Sequence, residues 1–146
     1  LEAIHGKLWA KGPEGLKQYH RIVNLEPMQR ALEELDVTAW LAGLRAQQTD
    51  HRGNLRIVEQ QDQYYKIHPI LDWTTKDVHE YLKAHDLPYH PLYEKGYKSI
   101  GDIHSTLPIT AGMEEREGRF GGVTQECGLH MPASKDEEQS RESSGL

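Results

Sequence analysis

The sequence predicts an α/β domain, because short strand-like runs alternate with segments that have a helical periodicity or a helix-capping motif. Strand-like runs occur at residues 38–44, 55–58 and 64–70. Three short strands form a thin sheet for a domain of this class. We therefore expect this chain to lack N-terminal strands that would complete the sheet.

The N-terminal part of the chain predicts mainly helix. Residues 1–20 are expected to be helical or looped and to be interrupted at Gly12-Pro13 and at Gly15. Pro27 suits the first turn of a helix, where the missing N–H of proline loses no hydrogen bond. Apolar residues then recur at i, i+3, i+4 and i+7, which predicts an amphipathic helix through Met28, Ala31, Leu32 and Leu35.

The central part predicts the strands. Residues 38–44 form an apolar run that is typical of a buried strand, and the polar loop that follows contains Arg45 and Arg52. Residues 55–58 and 64–70 predict two more strands, joined by a polar turn.

A second helix is predicted from a capping box, since Thr74 is followed three residues later by Asp77. We expect this helix to extend to about His85, with Val78, Tyr81 and Leu82 facing inward. Residues 98–130 have little periodicity. We interpret residues 1–130 as one domain and predict that the polar segment 131–146 is disordered.

Composition restricts the function. The 146 residues, 36% of them hydrophobic, suffice for one globular core. The formal net charge of −6 argues against nonspecific nucleic-acid binding, which depends on basic surface. A single cysteine cannot form an internal disulfide and favours a cytoplasmic protein. The apolar runs are shorter than the roughly 18–20 residues that span a bilayer, so we expect no membrane association.

Cys127 is the candidate nucleophile. It lies between Glu126 and Gly128, in polar surroundings that favour exposure, and His130 could assist it electrostatically. Reactive cysteines lie in exposed, electropositive surroundings that stabilise the thiolate. From the residues alone, the alternative is a small buried hydrophobic side chain.

Four arginines are candidates for binding an anion. Arg45 and Arg52 follow a predicted strand, where α/β domains bind ligands, and Arg116 and Arg119 shortly precede Cys127. The guanidinium fork matches phosphate and sulfate oxygens. The alternative for each arginine is a solvated surface charge.

The sequence does not predict a metal site. It contains nine histidines, but no pair has the i, i+4 spacing of a helical zinc site, and no CxxC pair is possible with one cysteine. The glycine-bounded segment 96–101 could direct backbone N–H groups at a ligand, although a plain turn explains it equally.

Four segments, in this order and spacing, resemble the phosphoadenylyl-sulfate (PAPS)/adenylyl-sulfate reductase family. They are Leu-Glu-Pro-Met at residues 25–28 with Arg-Ala-Leu at 30–32, Gly-Leu-Arg at 43–45 with Gln48 and Arg52, Gly-Tyr-Lys-Ser-Ile-Gly-Asp at 96–102, and Glu-Cys-Gly-Leu-His at 126–130. The resemblance covers about residues 1–130, and its last run is highly specific.

The resemblance implies an adenine nucleotide α-hydrolase-like (PP-loop) fold and the reduction of an activated sulfate to sulfite. The Cys127 thiolate would attack the sulfuryl sulfur and become an S-sulfocysteine, which thioredoxin or glutaredoxin would resolve. It implies Arg45, Arg52, Lys98, Arg116, Arg119 and His130 as substrate-binding residues. It also implies a possible homodimer, and a segment near residues 105–130 that is poorly packed without ligand.

The resemblance also narrows the substrate. The adenylyl-sulfate branch carries an iron–sulfur cluster on two cysteine pairs, and Tyr19, His20, Asp102 and Ser105 stand at those positions here. A cluster requires thiolate ligands, so we expect none and choose PAPS as the substrate.

Three departures from the family pattern keep alternatives open. Asn24 replaces a frequent lysine, Leu107 replaces a frequent arginine, and the N-terminal half with its phosphate-binding loop has no counterpart. The alternatives are a cluster-free adenylyl-sulfate reductase and a non-catalytic nucleotide-binding fragment.

Overall fold

The computed structural model describes residues 2–120, 126 and 128–131. Its elements are α1 (Glu2–His5), α2 (Gly12–His20), α3 (Glu26–Glu34), β1 (Ala39–Leu41), α4 (Asp50–Gly53), β2 (Val58–Gln61), β3 (Tyr64–Ile67) and α5 (Thr75–Ala84), with 3-10 turns at Leu8–Ala10, Ala46–Gln48, Tyr93–Lys95 and Ile103–Ser105. Among the residues described, no helix is both long and apolar enough to cross a bilayer. The predicted polar tail lies outside them, apart from Met131.

The N-terminal helices differ from the prediction. Gly12-Pro13 begins α2 and does not interrupt it, because proline fits the first helical turn. Gly15 lies inside α2, where a Cβ would overlap the carbonyl oxygen of Leu8. A π-helical segment, Arg21–Leu25, connects α2 directly to α3, and Pro27 lies in the first turn of α3, as predicted.

The sheet has the order β1-β3-β2. Strand β1 is parallel to β3, with Trp40 opposite Lys66, and β2 is antiparallel to β3. The carboxyl ends of parallel strands meet at one edge of a sheet, so the segments that follow β1 and β3 converge there. The N–H of Ala46 donates to the carbonyl oxygen of Leu71 at 2.7 Å, which joins the two segments.

All three predicted strands exist, but their bounds are shorter or shifted. The run 38–44 was predicted to be one buried strand; in the structure the strand ends at Leu41, whose side chain is exposed, and the buried residues Ala42 and Leu44 follow it. The second strand begins at Val58 and not at residue 55. Apolar runs mark burial, and here burial continues into the loop after the strand.

The capping box of α5 is confirmed. The N–H of Asp77 donates to the Thr74 hydroxyl at 3.2 Å, and the Asp77 carboxylate accepts from the N–H of Thr74 at 2.7 Å. Val78 and Leu82 are half-buried, as predicted, but Tyr81 is exposed. The Tyr81 ring instead lies against Trp73, with 5.2 Å between ring centres.

The buried residues include many polar side chains. The buried apolar residues described are Leu8, Tyr19, Ala42, Leu44, Tyr64, Leu71 and Phe120, and the buried polar ones include Arg45, Arg52, Lys66, His68, Arg116, Arg119 and Glu126. The expectation of poor packing near residues 105–130 does not hold for Ser105, Thr106, Arg116, Arg119 and Phe120, which are buried, whereas residues 110–114 are exposed. Charged groups are rarely buried unless they are paired, so their burial points to a site.

Candidate active site

The four predicted arginines are all buried. Arg45, Arg52, Arg116 and Arg119 have exposed fractions of 8%, 5%, 9% and 8%. This contradicts the alternative of solvated surface charge. Arg45 follows β1 and Arg52 lies in α4, whereas the other two come from the irregular chain after α5.

Arg45 is fixed at the edge where β1 and β3 end. Its guanidinium donates to the Thr75 hydroxyl at 3.0 Å and to the Glu115 carboxylate at 2.9 Å. Thr75 itself donates to the same carboxylate at 2.7 Å. The first turn of α5 and the loop around residue 115 thus both fix the position of the Arg45 guanidinium.

Arg52 forms a two-point ion pair with Glu126, the residue before Cys127. Its Nε and Nη2 atoms each lie 2.7 Å from a different carboxylate oxygen. Arg116 lies 3.8 Å from the same carboxylate, and the Thr49 hydroxyl donates to it at 3.1 Å. Two guanidinium groups from separate segments therefore meet at Glu126.

The charges around Glu126 decide its ionisation. Burial by itself would raise the pKa of Glu126, but the hydrogen bond and charge of Arg52, with the charge of Arg116, lower that pKa below its usual value. Glu126 is therefore a carboxylate at neutral pH.

Arg119 occupies a place that depends on a glycine. A Cβ on Gly101 would overlap the Arg119 guanidinium, which lies 4.7 Å from the Phe120 ring centre. The N–H of Gly101 donates to the Thr106 hydroxyl at 3.1 Å, and Thr106 pairs with Arg119 in an antiparallel bridge. The glycine-bounded segment thus makes room for an arginine.

Lys98 does not join the arginines. It is exposed, and its ammonium lies 3.4 Å from the Tyr93 ring centre and donates to the Tyr93 carbonyl oxygen at 3.3 Å. Its neighbour Ser99, also in the segment 96–102, accepts a hydrogen bond from the Arg116 guanidinium at 3.4 Å.

The chain after position 127 is held against the sheet. Lys66 Nζ donates to the Leu129 carbonyl oxygen at 3.0 Å, and His51 Nε2 donates to the carbonyl oxygen of His130 at 2.7 Å. The His130 ring stacks on Trp40, with 6.2 Å between ring centres. Strands β1 and β3 and helix α4 therefore position residues 129 and 130.

His130 is neutral in this position. Burial and the charges of Lys66 and Arg52 lower the pKa of His130 to about 3. The imidazole thus contributes no positive charge near neutral pH. It could therefore not assist Cys127 as a charged imidazolium. Cys127 itself lies outside the described residues, although both of its chain neighbours are described.

Sequence reasoning missed Lys66, His51, Thr49 and Trp40. Lys66 is 3% exposed in the middle of β3, on the same face as the buried Tyr64. The period-two alternation of the strand contained this signal, because it predicts that residue 66 faces inward with residue 64. The other three residues had no distinctive local pattern.

Two of the four positions that the resemblance aligns with cluster ligands, Tyr19 and His20, lie in a cluster of aromatic rings. The His104 ring lies 4.2 Å from Trp9 and 4.8 Å from Tyr19, and His20 lies 4.8 Å from Phe120. Burial, then the carboxylate of Asp102, raises the pKa of Tyr19. Within the residues described, no group of three His, Cys, Asp or Glu side chains could hold a metal ion.

Comparison with known families matches residues 1–108 to the family described as "Phosphoadenosine phosphosulfate reductase domain". That range is well over half of the 146 residues. The chain belongs to the phosphoadenosine phosphosulfate reductase family. Membership confirms the resemblance that the four segments carry.

Curated relatives bear the name of the family enzyme. The chain is 55% identical over 148 residues to the phosphoadenosine 5′-phosphosulfate reductase of Synechocystis sp., and the match covers 100% of the chain and 59% of that relative. It is 55% identical over 129 residues to the enzyme of Xylella fastidiosa, covering 88% of the chain and 54% of the relative. The chain thus spans between half and three fifths of the length of these relatives.

A solved structure of the family shares the fold. A crystal structure of PAPS reductase from Candida auris, in complex with phosphate, superposes with a TM-score of 0.60 at 36% identity, covering 73% of this chain and 50% of that chain. The predicted adenine nucleotide α-hydrolase-like α/β fold is confirmed. The roles of individual residues stay predictions.

Proposed function

We propose that this chain is the C-terminal part of a thiol-dependent PAPS reductase of assimilatory sulfate reduction, in which Cys127 is the nucleophile. The observation that supports this most strongly is the meeting of Arg52 and Arg116 at Glu126, directly before Cys127. Buried arginines lower the pKa of a nearby thiol and suit an anionic substrate.

The proposed reaction has three steps. The Cys127 thiolate attacks the sulfuryl sulfur of PAPS, forms an S–S bond and breaks the bond between that sulfur and the phosphate oxygen. The electron pair leaves with adenosine 3′,5′-bisphosphate, and Cys127 becomes an S-sulfocysteine. A thiolate of reduced thioredoxin or glutaredoxin then attacks the cysteine sulfur and releases sulfite. The second thiol of the redoxin resolves the mixed disulfide, so the redoxin dithiol supplies the two electrons.

The proposed roles of the substrate-binding residues follow their positions. Arg116 and Arg119 precede the nucleophile in the chain, and Arg45 lies at the sheet edge where ligands bind in this fold class. Arg52 contributes charge while it holds Glu126. Lys98 would have to leave Tyr93 to reach an anion, and neutral His130 would offer hydrogen bonding only.

The substrate preference is proposed on two grounds. The relatives described above are named for the phosphoadenosine substrate, and non-cysteine residues stand at the four positions that the resemblance assigns to cluster ligands. Rates with PAPS and with adenylyl sulfate decide between the two nucleotides. A higher rate with the nucleotide that lacks the 3′-phosphate would overturn the choice of PAPS.

The test of the reaction uses the complete open reading frame that contains this chain. Incubation with PAPS should add one sulfo group to the peptide that contains Cys127, and reduced thioredoxin should remove it with release of sulfite. The Cys127→Ser variant is the matched control and should gain no adduct. If the wild-type protein binds adenosine 3′,5′-bisphosphate but forms no adduct, it is a nucleotide-binding module and the proposed reaction is wrong.

A further inference from the structure

Glu126 is held more tightly than an ordinary loop residue. Its carboxylate accepts from two nitrogens of Arg52, each at 2.7 Å, and the two side chains are only 7% and 6% exposed. A two-point arginine–carboxylate pair fixes orientation as well as distance, because both groups are planar. The position of the Glu126 side chain, directly before Cys127 in the sequence, is thereby restricted.

The arginine of this pair is itself anchored. The Arg52 N–H donates to the Thr49 hydroxyl at 3.2 Å, which caps helix α4, and its Nη1 donates to the Gln48 side chain. The same Gln48 oxygen accepts from the N–H of Arg45 at 3.2 Å. Through Arg52, Glu126 is thus anchored to the short helical segments that follow β1.

The chain is also fixed shortly after Cys127. Lys66 and His51 donate to the carbonyl oxygens of Leu129 and His130 at 3.0 Å and 2.7 Å. Gly128 has φ +93°, and a Cβ there would lie 3.5 Å from the Leu25 side chain. Residues on both sides of position 127 therefore have defined places.

We infer that Glu126 is a positioning residue for the reaction of Cys127: through its pair with Arg52 it fixes the chain immediately before the nucleophile. Glu126 does not touch the reacting atoms in this role. The inference rests on the proposed function, since it concerns the nucleophile of that reaction. Misplacement of a reacting group by about 1 Å can cost about 100-fold in rate, so a positioning residue has a measurable effect.

A competing explanation makes a different prediction. The Glu126 carboxylate could occupy a place that a phosphate of the substrate takes when it binds, and would then inhibit. Removal of its charge would in that case tighten nucleotide binding and leave the rate intact or raise it. A positioning role predicts a lower rate with little change in nucleotide affinity.

The experiment compares Glu126→Gln, Glu126→Asp and the control Glu117→Gln in the complete open reading frame. Glu117 is an exposed carboxylate of the same region, whose described contact is with the N–H of Glu114. Single-turnover rates of adduct formation with PAPS and the dissociation constant of adenosine 3′,5′-bisphosphate are measured. For Glu126→Gln we expect a rate about 10- to 100-fold lower with a nearly unchanged dissociation constant. Glu126→Asp should recover part of the rate, and Glu117→Gln should match the wild type.

The alkylation rate of Cys127 by iodoacetamide, followed on its peptide without substrate, separates this inference from the proposed function. If the wild-type protein forms no adduct, the proposed reaction fails. A changed alkylation rate in Glu126→Gln, but not in Glu117→Gln, still supports positioning. An unchanged adduct rate and alkylation rate in Glu126→Gln, or tighter nucleotide binding with an undiminished rate, overturns the inference.

Discussion

The guanidinium of Arg119 packs directly on the backbone of Gly101, in space that any side chain at residue 101 would need. Arg119 is 8% exposed there and lies beside the Phe120 ring. Two segments that are separate in the sequence, 96–102 and the chain before Cys127, thus depend on each other.

Gly101→Ala should displace Arg119. The guanidinium is the flexible end of its side chain, so we expect it to move and the backbone to stay. The free energy of unfolding, measured with urea, should fall by only about 1 kcal/mol, the lower end for an overpacked site. The rate of adduct formation with PAPS should fall about as far as in Arg119→Ala.

The double variant tests this coupling. If Gly101 acts through Arg119, Gly101→Ala should have no additional effect on the rate in an Arg119→Ala background. Gly53→Ala is the control, because a Cβ there makes ordinary contact at 3.7 Å from the Ala46 carbonyl oxygen. If the losses of rate add up in the double variant, Gly101 does not act by leaving room for Arg119.

The stability that Glu126 contributes should depend on pH. Its pKa is lower in the folded protein than in the unfolded chain, despite burial, because of Arg52. Such a group stabilises the fold above its unfolded pKa, and the contribution is lost as pH falls through the folded value. The difference in unfolding free energy between wild type and Glu126→Gln should thus stay constant from pH 7 down to the unfolded pKa of 4.5 and shrink as the pH falls further. A difference independent of pH would contradict the buried ion pair.

His130 should titrate far below the usual range. Burial and the charges of Lys66 and Arg52 bring its pKa to about 3. Because the folded value lies below the unfolded value of 6.5, the unfolded chain binds the proton first, and stability falls as pH drops below that value. Ring resonances in an NMR titration should show this low inflection.

A substitution of Lys66 tests the cause of that shift. Lys66→Gln removes a nearby positive charge, so the pKa of His130 should rise relative to the wild type. Lys17→Gln removes an exposed lysine on α2 and should leave the titration unchanged. A wild-type inflection near 6.5 would show that the ring is not buried on Trp40.

Loss of the α5 cap should destabilise the fold. Thr74→Ala removes the side-chain acceptor for the N–H of Asp77, at a cost of about 1 kcal/mol. Urea unfolding measures this, with Lys76→Ala as an exposed control in the same helix. Equal stability of Thr74→Ala and wild type would contradict the role of the cap.

Features that depend on neighbouring residues could be predicted well. The Thr74–Asp77 capping box spans four residues, and its geometry was predicted correctly because local hydrogen bonding decides it. The strand over 38–44 was predicted too long because an apolar run reports burial and not pairing. Only Ala39–Leu41 pairs with β3.

The four arginines show what the sequence could predict and what only the tertiary structure decides. Their residue type and their position relative to a strand and to Cys127 predicted an anionic ligand, but could not distinguish a buried group from a solvated one. Burial depends on which segments pack against each guanidinium. The Glu115 carboxylate lies against Arg45, and the backbone of Gly101 lies against Arg119.

The sequence by itself determined the family, the helical cap and the candidate nucleophile with its surrounding motif, because these depend on residue identity and short spacing. Only the tertiary structure decided the partner of Arg52, since Glu126 is 74 residues away and charge alone does not select among the carboxylates of the chain. The parallel pairing of β1 with β3 brings Trp40 beside Lys66. These two residues contact His130 and Leu129, which follow Cys127 in the sequence. The position of that chain follows from packing between distant segments, which no local pattern encodes.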